Sequence, residues 1–333
     1  MLAGSIAFLV IGFAILIYSG DCLVRGALAA AFKANVSPLL VGILIVGFGT
    51  SLPEFLIGIQ AALAGTPGLA HGNIIGSNIA NIWLVLALPA VILPISTVAP
   101  RMRITAFFML LCTAAWIGIT LYFGLNALTG VWFLIVLGGY AIVAWFSSPT
   151  DRTEDTPDDK KIMATPAWRM VFLILIGLVG LPLGSKLLVD AGISLADEIG
   201  ASKEIVGLTL LAVGSSLPEL AAGVAAAVRK QSDVAMGNIL GSNIFNILGV
   251  GGMVAFLAPQ PSLAQAFTNY SNWAMGLAAV LITLVVFLHR RVGWLTGAVF
   301  LALYVAYIVG LVQGWTLDSL IGQFVVLPGQ SAQ

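Results

Sequence analysis

The segment GTSLPE at residues 49–54 returns as GSSLPE at residues 214–219. A second segment, GNIIGSNIANI at 72–82, returns as GNILGSNIFNI at 237–247. Each residue lies 165 positions before its counterpart, so the spacing between the two segments is the same in both copies. Self-similarity at a fixed separation indicates an internal duplication. The sequence therefore predicts two related halves.

The amino-acid composition indicates whether the two halves fold in water or in a membrane. Of 333 residues, 60% are hydrophobic and 8% are charged, and the mean hydropathy is +1.07. Soluble domains carry about 25% charged residues, so a soluble globular fold is excluded. The 14 basic residues balance the 14 acidic ones, which gives no reason to expect a nucleic acid partner. The two cysteines, Cys22 and Cys112, suggest neither a disulfide framework nor a cysteine metal site.

Ten apolar runs are long enough to cross a bilayer, which takes about 20 residues. The sequence thus predicts an all-α integral membrane protein with ten transmembrane helices, whose partner is the lipid bilayer. The runs cover residues 4–20, 38–63, 69–94, 104–122, 128–147, 168–190, 204–228, 233–257, 272–289 and 292–313.

An odd number of spans separates the equivalent motifs. Because five spans lie between them, the second copy must enter the membrane in the opposite orientation, as in many secondary transporters. The predicted parts are a first five-helix repeat at 1–147 with its motif at 47–82, a linker at 148–167, a second, inverted repeat at 168–314 with its motif at 212–247, and a C-terminal tail at 315–333.

Basic residues collect in the loops that follow odd-numbered spans. Lys and Arg accumulate in cytoplasmic loops, so the central linker is predicted to be cytoplasmic. Both termini are then predicted to be periplasmic, for a protein of the bacterial inner membrane. The residues are Arg25 and Lys33 after span 1, Arg101 and Arg103 after span 3, Arg152, Lys160, Lys161 and Arg169 after span 5, Arg229 and Lys230 after span 7, and Arg290 and Arg291 after span 9.

A proline interrupts each repeated helix one residue before the glutamate of the motif. Pro53 has no N–H to donate to the carbonyl of Gly49, and Pro218 has none for that of Gly214. Backbone carbonyls are thereby freed at the depth of the membrane, which is tolerated where they line a cavity. We expect each helix to break just before its glutamate.

The polar residues of the motifs recur at a spacing of four, which places them on common helix faces. Their carboxylate, hydroxyl and amide oxygens suit Ca2+ and Na+, and they do not suit Zn2+ or copper. The sequence predicts a metal-ion site and no cofactor. The pairs are Thr50 with Glu54, Ser215 with Glu219, Ser77 with Asn81, and Ser242 with Asn246.

Some of these features also have a purely structural interpretation. The repeated glycines Gly72, Gly76, Gly237 and Gly241 allow close helix packing, and a serine in a membrane helix usually bonds its own backbone. The two glutamates are different, because a carboxylate near the bilayer centre costs several kcal/mol and marks a functional site by default.

The two motifs resemble those of the Ca2+:cation antiporter superfamily, and especially its prokaryotic Na+/Ca2+ exchangers. The resemblance implies a core made of spans 2, 3, 7 and 8, in which Glu54 and Glu219 bind Ca2+ together. It also implies that the long spans 1 and 6 slide across this core. Hydroxyls or carbonyls of further residues are implied to complete the Na+ and Ca2+ sites: Gly47, Thr50, Ser51, Ser77, Ala212, Ser215, Ser216 and Ser242.

One departure from the family pattern bears on the coupling ion. Some archaeal and K+-dependent members carry Asp where this chain has Asn246, and Asn81 is also an amide. Two carboxylates give a site charge of minus two, which favours a K+-independent exchanger.

Ca2+/H+ exchangers usually have a Glu where this chain has Gly76-Ser77 and Gly241-Ser242. A Ca2+/H+ antiporter and a K+-dependent Na+/Ca2+ exchanger remain the alternatives.

Two other classes of protein are weighed against an exchanger. A channel could use similar oxygens, but broken helices in inverted repeats are typical of alternating access. The sequence has no HExxH or GxSxG motif and no histidine beside a nucleophile within a span. An enzyme is therefore not predicted.

Overall fold

The computed structural model describes residues 2–148, 161–198, 214–259 and 265–314. These ranges are helical apart from turns and one pair of two-residue strands, β1 (Ile95–Ser96) and β2 (Arg291–Val292), which run antiparallel. The predicted all-α membrane class is confirmed. The helices are α1 (Leu2–Ala34), α2 (Pro38–Thr50), α3 (Leu52–Leu63), α4 (Gly68–Ile92), α5 (Met102–Tyr122), α6 (Ala127–Phe146), α7 (Ala167–Glu198), α8 (Leu217–Val228), α9 (Ser232–Leu257), α10 (Gln265–Leu288) and α11 (Trp294–Val312).

Eight of the described helices are long and apolar enough to cross a membrane, and there are nine if the bent pair α2 and α3 is counted as one span. These nine correspond to the predicted spans 1 to 6 and 8 to 10. For the seventh predicted span, at 204–228, only α8 and the turn before it are described, because 204–213 lie outside the described residues. The described residues thus belong to a multi-pass membrane protein.

Helices α1 and α7 are longer than the sequence predicted. The first span was predicted to end at residue 20, with Arg25 and Lys33 in a loop, but α1 continues to Ala34. That boundary was wrong because residues 21–34 contain five alanines and no proline, and alanine is the best helix former. Asp21 also pairs with Arg25 at 3.7 Å on the same helix face, so the charges need not end the helix.

Helices α1 and α7 pack against each other along their length and run antiparallel. A Cβ atom on Gly12 would lie 2.9 Å from Cγ of Leu188, and one on Gly177 would lie 2.9 Å from Cα of Leu23. The two contacts are counterparts, because residues 12 and 177, and likewise 23 and 188, are 165 positions apart. Only glycine permits this close approach, so the helix pair has an interface of small residues.

Several loops that the charge pattern groups together lie on one face of the molecule. The β1–β2 pair joins the loop after span 3 to the loop after span 9. Arg101 donates to the carbonyl of Ser147 at 2.8 Å, and Ser148 donates to the hydroxyl of Ser37 at 2.8 Å. The loops after spans 1, 3, 5 and 9 therefore share one face, as the distribution of basic residues requires.

Candidate cation site

The first motif contains the helix break that its proline predicts. Helix α2 ends at Thr50 and α3 begins at Leu52, with a bend of 44° between them. Ser51 at the break has φ −83° and ψ 8°. In the second motif a turn at residues 215–216 precedes α8. Both glutamates consequently lie in the first turn of a helix, Glu54 in α3 and Glu219 in α8, where the helix dipole favours a negative charge.

Glu219 of the second motif is hydrogen-bonded to a residue of the first motif. Its side chain is fully buried, and the hydroxyl of Ser51 in the first motif donates to its Oε1 at 3.0 Å. The hydroxyl of Thr50 also lies near this carboxylate. Its Oε2 has no hydrogen-bond partner among the described residues. One carboxylate oxygen is thus held by a hydroxyl from the other repeat, and the second can bind a ligand.

Glu54 has neither of its carboxylate oxygens hydrogen-bonded within the described part of the chain, although the side chain is 1% exposed. The hydroxyl of Ser77 lies beside this carboxylate without forming a hydrogen bond of ordinary geometry. Glu54 and Glu219 are close enough to repel each other electrostatically. Burying such charges without a compensating partner is very unfavourable, so a bound cation or a proton would stabilise the pair.

The backbone carbonyl of Gly47 in α2 accepts a hydrogen bond from a side chain of α9. It accepts hydrogen bonds from the hydroxyl of Ser242 at 3.0 Å and from that of Thr50 at 3.3 Å. A Cβ atom on Gly47 would lie 2.9 Å from both the Ser242 nitrogen and the Asn238 carbonyl oxygen. Glycine is therefore needed here, because the two backbones approach each other directly beside the hydroxyls of both motifs.

Four asparagines in α4 and α9 form a second polar group. Asn81 donates to Oδ1 of Asn243 at 3.0 Å, and Asn243 donates to the carbonyl of Asn78 at 3.3 Å. Asn246 is fully buried, and neither its amide nitrogen nor its oxygen is hydrogen-bonded within the described ranges. Oδ1 of Asn81 is likewise unpartnered there. These amide oxygens are available to a cation, since an amide carbonyl is an acceptor with two lone pairs.

Sequence reasoning missed Asn73 and Asn238, which hold the backbone of the two glutamates. Asn73 donates to the carbonyl of Glu54 at 3.2 Å, and Asn238 donates to the carbonyl of Glu219 at 3.0 Å. These bonds tie α4 to α3 and α9 to α8 in the same way in both halves. The 165-residue separation of the two asparagines was the signal that could have identified them.

Nearly all of the predicted site residues are buried. Ser215 is partly exposed in the turn before α8, and Ala212 lies outside the described residues. Among the described residues no cluster of three or more His, Cys, Asp or Glu side chains exists, and the described site residues include two carboxylates. The buried residues are Gly47, Thr50, Ser51, Glu54, Ser77, Asn81, Ser216, Glu219, Ser242 and Asn246.

Some of the repeated glycines are explained by close helix packing, and others are not. A Cβ atom on Gly241 would lie 2.7 Å from the carbonyl oxygen of Ile43, and one on Gly237 would lie 2.9 Å from Cα of Gly42. These glycines of α9 therefore allow close packing against α2. A Cβ atom on Gly76 would meet nothing within 4 Å, so close packing does not account for Gly76.

Comparison with known proteins identifies the family. The family described as "Sodium/calcium exchanger protein" matches residues 4–146 and 169–313. The chain belongs to the sodium/calcium exchanger family. This confirms the family resemblance of the two motifs. The family is one of cation antiporters and not of enzymes, and this membership makes the chain a cation/Ca2+ antiporter.

Relatives and a solved structure match the chain over most of their length. The chain is 35% identical over 309 residues to the "Putative antiporter CaxA" of Alkalimonas amylolytica, covering 90% of this chain and 96% of the relative. It is 35% identical over 260 residues to the "Inner membrane protein YrbG" of Escherichia coli, covering 76% and 80%. The sodium-calcium exchanger NCX_Mj soaked with 2.5 mM Na+ and 10 mM Sr2+ superposes with a TM-score of 0.79, at 31% identity, covering 93% and 99%.

Proposed function

We propose that this antiporter exchanges Na+ for Ca2+ across a bacterial inner membrane, without K+, and that Glu54 and Glu219 bind the ions. The observation that carries the proposal is the pair of buried carboxylates, of which three oxygens have no hydrogen-bond partner among the described residues. Each carboxylate comes from a different repeat, and both stand where a helix begins after a break. A carboxylate with a purely structural role in a membrane is normally paired with another polar group. These two carboxylates have unpartnered oxygens, which can bind an ion.

The ligand set matches the chemistry of Ca2+ and Na+. Ca2+ takes about six to eight oxygen ligands in irregular geometry, and the two motifs offer carboxylate, hydroxyl, amide and carbonyl oxygens from both repeats. The two carboxylates supply a charge of minus two, which one Ca2+ or two Na+ would neutralise. Hydroxyl groups of Thr50, Ser51, Ser77, Ser216 and Ser242 would complete these sites, together with the amides of Asn81 and Asn246.

The same charge explains why exchange is coupled. Two ionised carboxylates enclosed without a cation would repel each other in a medium of low dielectric constant, and one of them would have to bind a proton. The site can therefore close readily only when Ca2+ or Na+ is bound. A carrier that converts between its two orientations only when loaded exchanges one ion for the other.

Helices α1 and α7 are the elements that we propose to move. They occupy equivalent places in the two repeats and run antiparallel, which supports an inverted arrangement of the halves. Their close contacts at glycines support movement of the pair as one unit across the motifs. Arg229, at the end of α8, pairs with Asp21 of α1, and this ion pair would have to part or rearrange during such a movement.

The coupling ion is tested by Ca2+ uptake into vesicles that contain the purified protein. With Na+ inside and none outside, we expect rapid Ca2+ accumulation that is unchanged when choline replaces K+ on both sides. Without internal Na+ we expect uptake to stop, whereas a channel would still admit Ca2+ down its own gradient. A pH gradient alone is expected to drive no uptake. A strict need for K+, or uptake driven by a pH gradient, would support one of the alternative exchangers instead.

The orientation in the membrane is tested by cysteine labelling. The natural Cys22 and Cys112 are 1% and 5% exposed, so they should contribute little background. We expect Ala164→Cys, in the linker before α7, to react with an impermeant maleimide only from the cytoplasmic side. Gln313→Cys, after α11, should react only from the periplasmic side. The reverse pattern would overturn the orientation derived from the basic loops.

A further inference from the structure

A lateral groove lies between the start of α2, the start of α5 and the end of α6. Its volume is about 310 Å3, and its walls include Leu40, Ile43 and Phe108. Phe108 and Tyr140 stack face to face with their ring centroids 4.4 Å apart, which gives the groove one rigid aromatic wall. At its rim Ile104 and other apolar side chains are exposed, so the groove opens towards the lipid.

One end of this apolar groove carries a positive charge. Arg101 lines the groove at the beginning of α5, and its guanidinium donates to the carbonyl of Ser147 at 2.8 Å. That bond fixes the side chain and uses one of the five N–H donors of a guanidinium. Among the described residues no carboxylate forms an ion pair with Arg101. The hydroxyls of Ser37 and Ser148 line the same end.

The combination of an apolar groove and a cation at its end selects one class of ligand. In a membrane-spanning protein a groove that opens sideways meets acyl chains rather than water, and an acyl chain fills apolar surface. A guanidinium matches a phosphate with two parallel hydrogen bonds. Basic pockets between transmembrane helices are known to bind anionic lipid head groups. An anionic phospholipid satisfies both parts of the groove at once.

We infer that this groove binds one anionic phospholipid, with its phosphate on Arg101 and one acyl chain along Phe108 and Tyr140. The inference concerns a site separate from the cation site and does not depend on which ion is coupled to Ca2+. A bound lipid would contact α2, α5 and α6 together. It would therefore brace the outer helices against α2, which carries Thr50 of the first motif.

The chain offers matched variants for both parts of the groove. Gly139 lines the groove and Gly138 does not, and a Cβ atom on either would meet nothing within 4 Å. Gly139→Leu should fill the groove, whereas Gly138→Leu makes the same change one residue away. Arg101→Gln removes the charge at the groove. Arg103→Gln removes a neighbouring charge whose described contacts are with Phe287.

The test is native mass spectrometry of the full-length chain, titrated with phosphatidylglycerol or with phosphatidylcholine of the same chain length. We expect the unmodified protein to retain one phosphatidylglycerol in preference to phosphatidylcholine. Arg101→Gln should lower the phosphatidylglycerol affinity about fivefold and remove the preference, and Gly139→Leu should lower the affinity for both lipids. Gly138→Leu and Arg103→Gln should behave like the unmodified protein. Unchanged thermal unfolding would show that each variant is folded.

Three results would overturn the inference. The first is equal binding of the two lipids by the unmodified protein, or equal affinity in all the variants. The second is displacement of the lipid by excess inorganic phosphate, which would indicate an anion site without an acyl chain. The third is lipid binding that arises only after the linker acids are neutralised, because the linker itself would then occupy the groove. Those acids are Asp151, Glu154, Asp155, Asp158 and Asp159.

Discussion

Replacing either Glu54 or Glu219 by Gln is expected to abolish Na+-driven Ca2+ uptake. Each substitution removes one of the two negative charges at the site and keeps nearly the same side-chain shape. Loss of one partner from a buried ionic group costs about 3–5 kcal/mol, which corresponds to at least about a hundredfold loss of Ca2+ affinity. We expect transport to fall by a similar factor in both variants, because the carboxylates act on one ion together.

The folded state should survive these substitutions. In the absence of ions an amide avoids the repulsion between two buried carboxylates, so unfolding temperatures should equal or exceed that of the unmodified protein. Ca2+ should raise the unfolding temperature of the unmodified protein, because a ligand stabilises the state that binds it. It should not raise that of either variant. This readout separates lost binding from lost movement.

Asp190→Asn provides a control for these variants. Asp190 lies in α7 and pairs with Lys186 at 2.9 Å, with 57% of its side chain exposed, so it differs from the buried glutamates of the motifs. We expect this variant to transport Ca2+ and to be stabilised by Ca2+ in the usual way. Near-normal Ca2+ flux in Glu54→Gln or Glu219→Gln would show that the ion does not bind between these carboxylates.

Asn246→Asp is expected to convert the exchanger into one whose Ca2+ flux depends on K+ or on pH. The substitution raises the formal charge of the site to minus three within a buried cluster. Such a cluster must recruit a further monovalent cation or bind a proton. We expect flux at neutral pH without K+ to fall at least about tenfold, since several kcal/mol oppose an uncompensated buried charge. Added K+ or a lower pH should restore part of it.

The equivalent substitution in the first repeat gives a matched comparison. Asn81 donates to Asn243, whereas Asn246 has no described hydrogen bond to lose. Asn81→Asp should therefore lower the unfolding temperature as well as the flux, and Asn246→Asp should change mainly the ion dependence. Flux in Asn246→Asp that matches the unmodified protein, with no dependence on K+ or pH, would place Asn246 away from the ions.

Some features of the candidate site follow from local rules and could be predicted. Proline cannot donate a backbone hydrogen bond wherever it occurs, so the break before Glu54 was predictable from Pro53 alone. The duplication placed Glu219 in an equivalent position. Hydrogen bonds between a residue of one repeat and a residue of the other were not predictable in this way. The bond from Ser51 to Glu219 joins residues 168 positions apart, and the choice between Ser51 and Thr50 depends on how the helices pack.

The sequence by itself determined the membrane class and the duplicated motifs, and it singled out the two glutamates that the structure buries. These features depend on hydrophobicity, on residue spacing and on the high free energy of a charge in the bilayer, all of which act locally. Only the tertiary structure decided that Asn73 and Asn238 hold the glutamate backbones, and that a groove ends at Arg101. Those features arise where segments far apart in sequence come into contact, and helix packing determines which side chains meet.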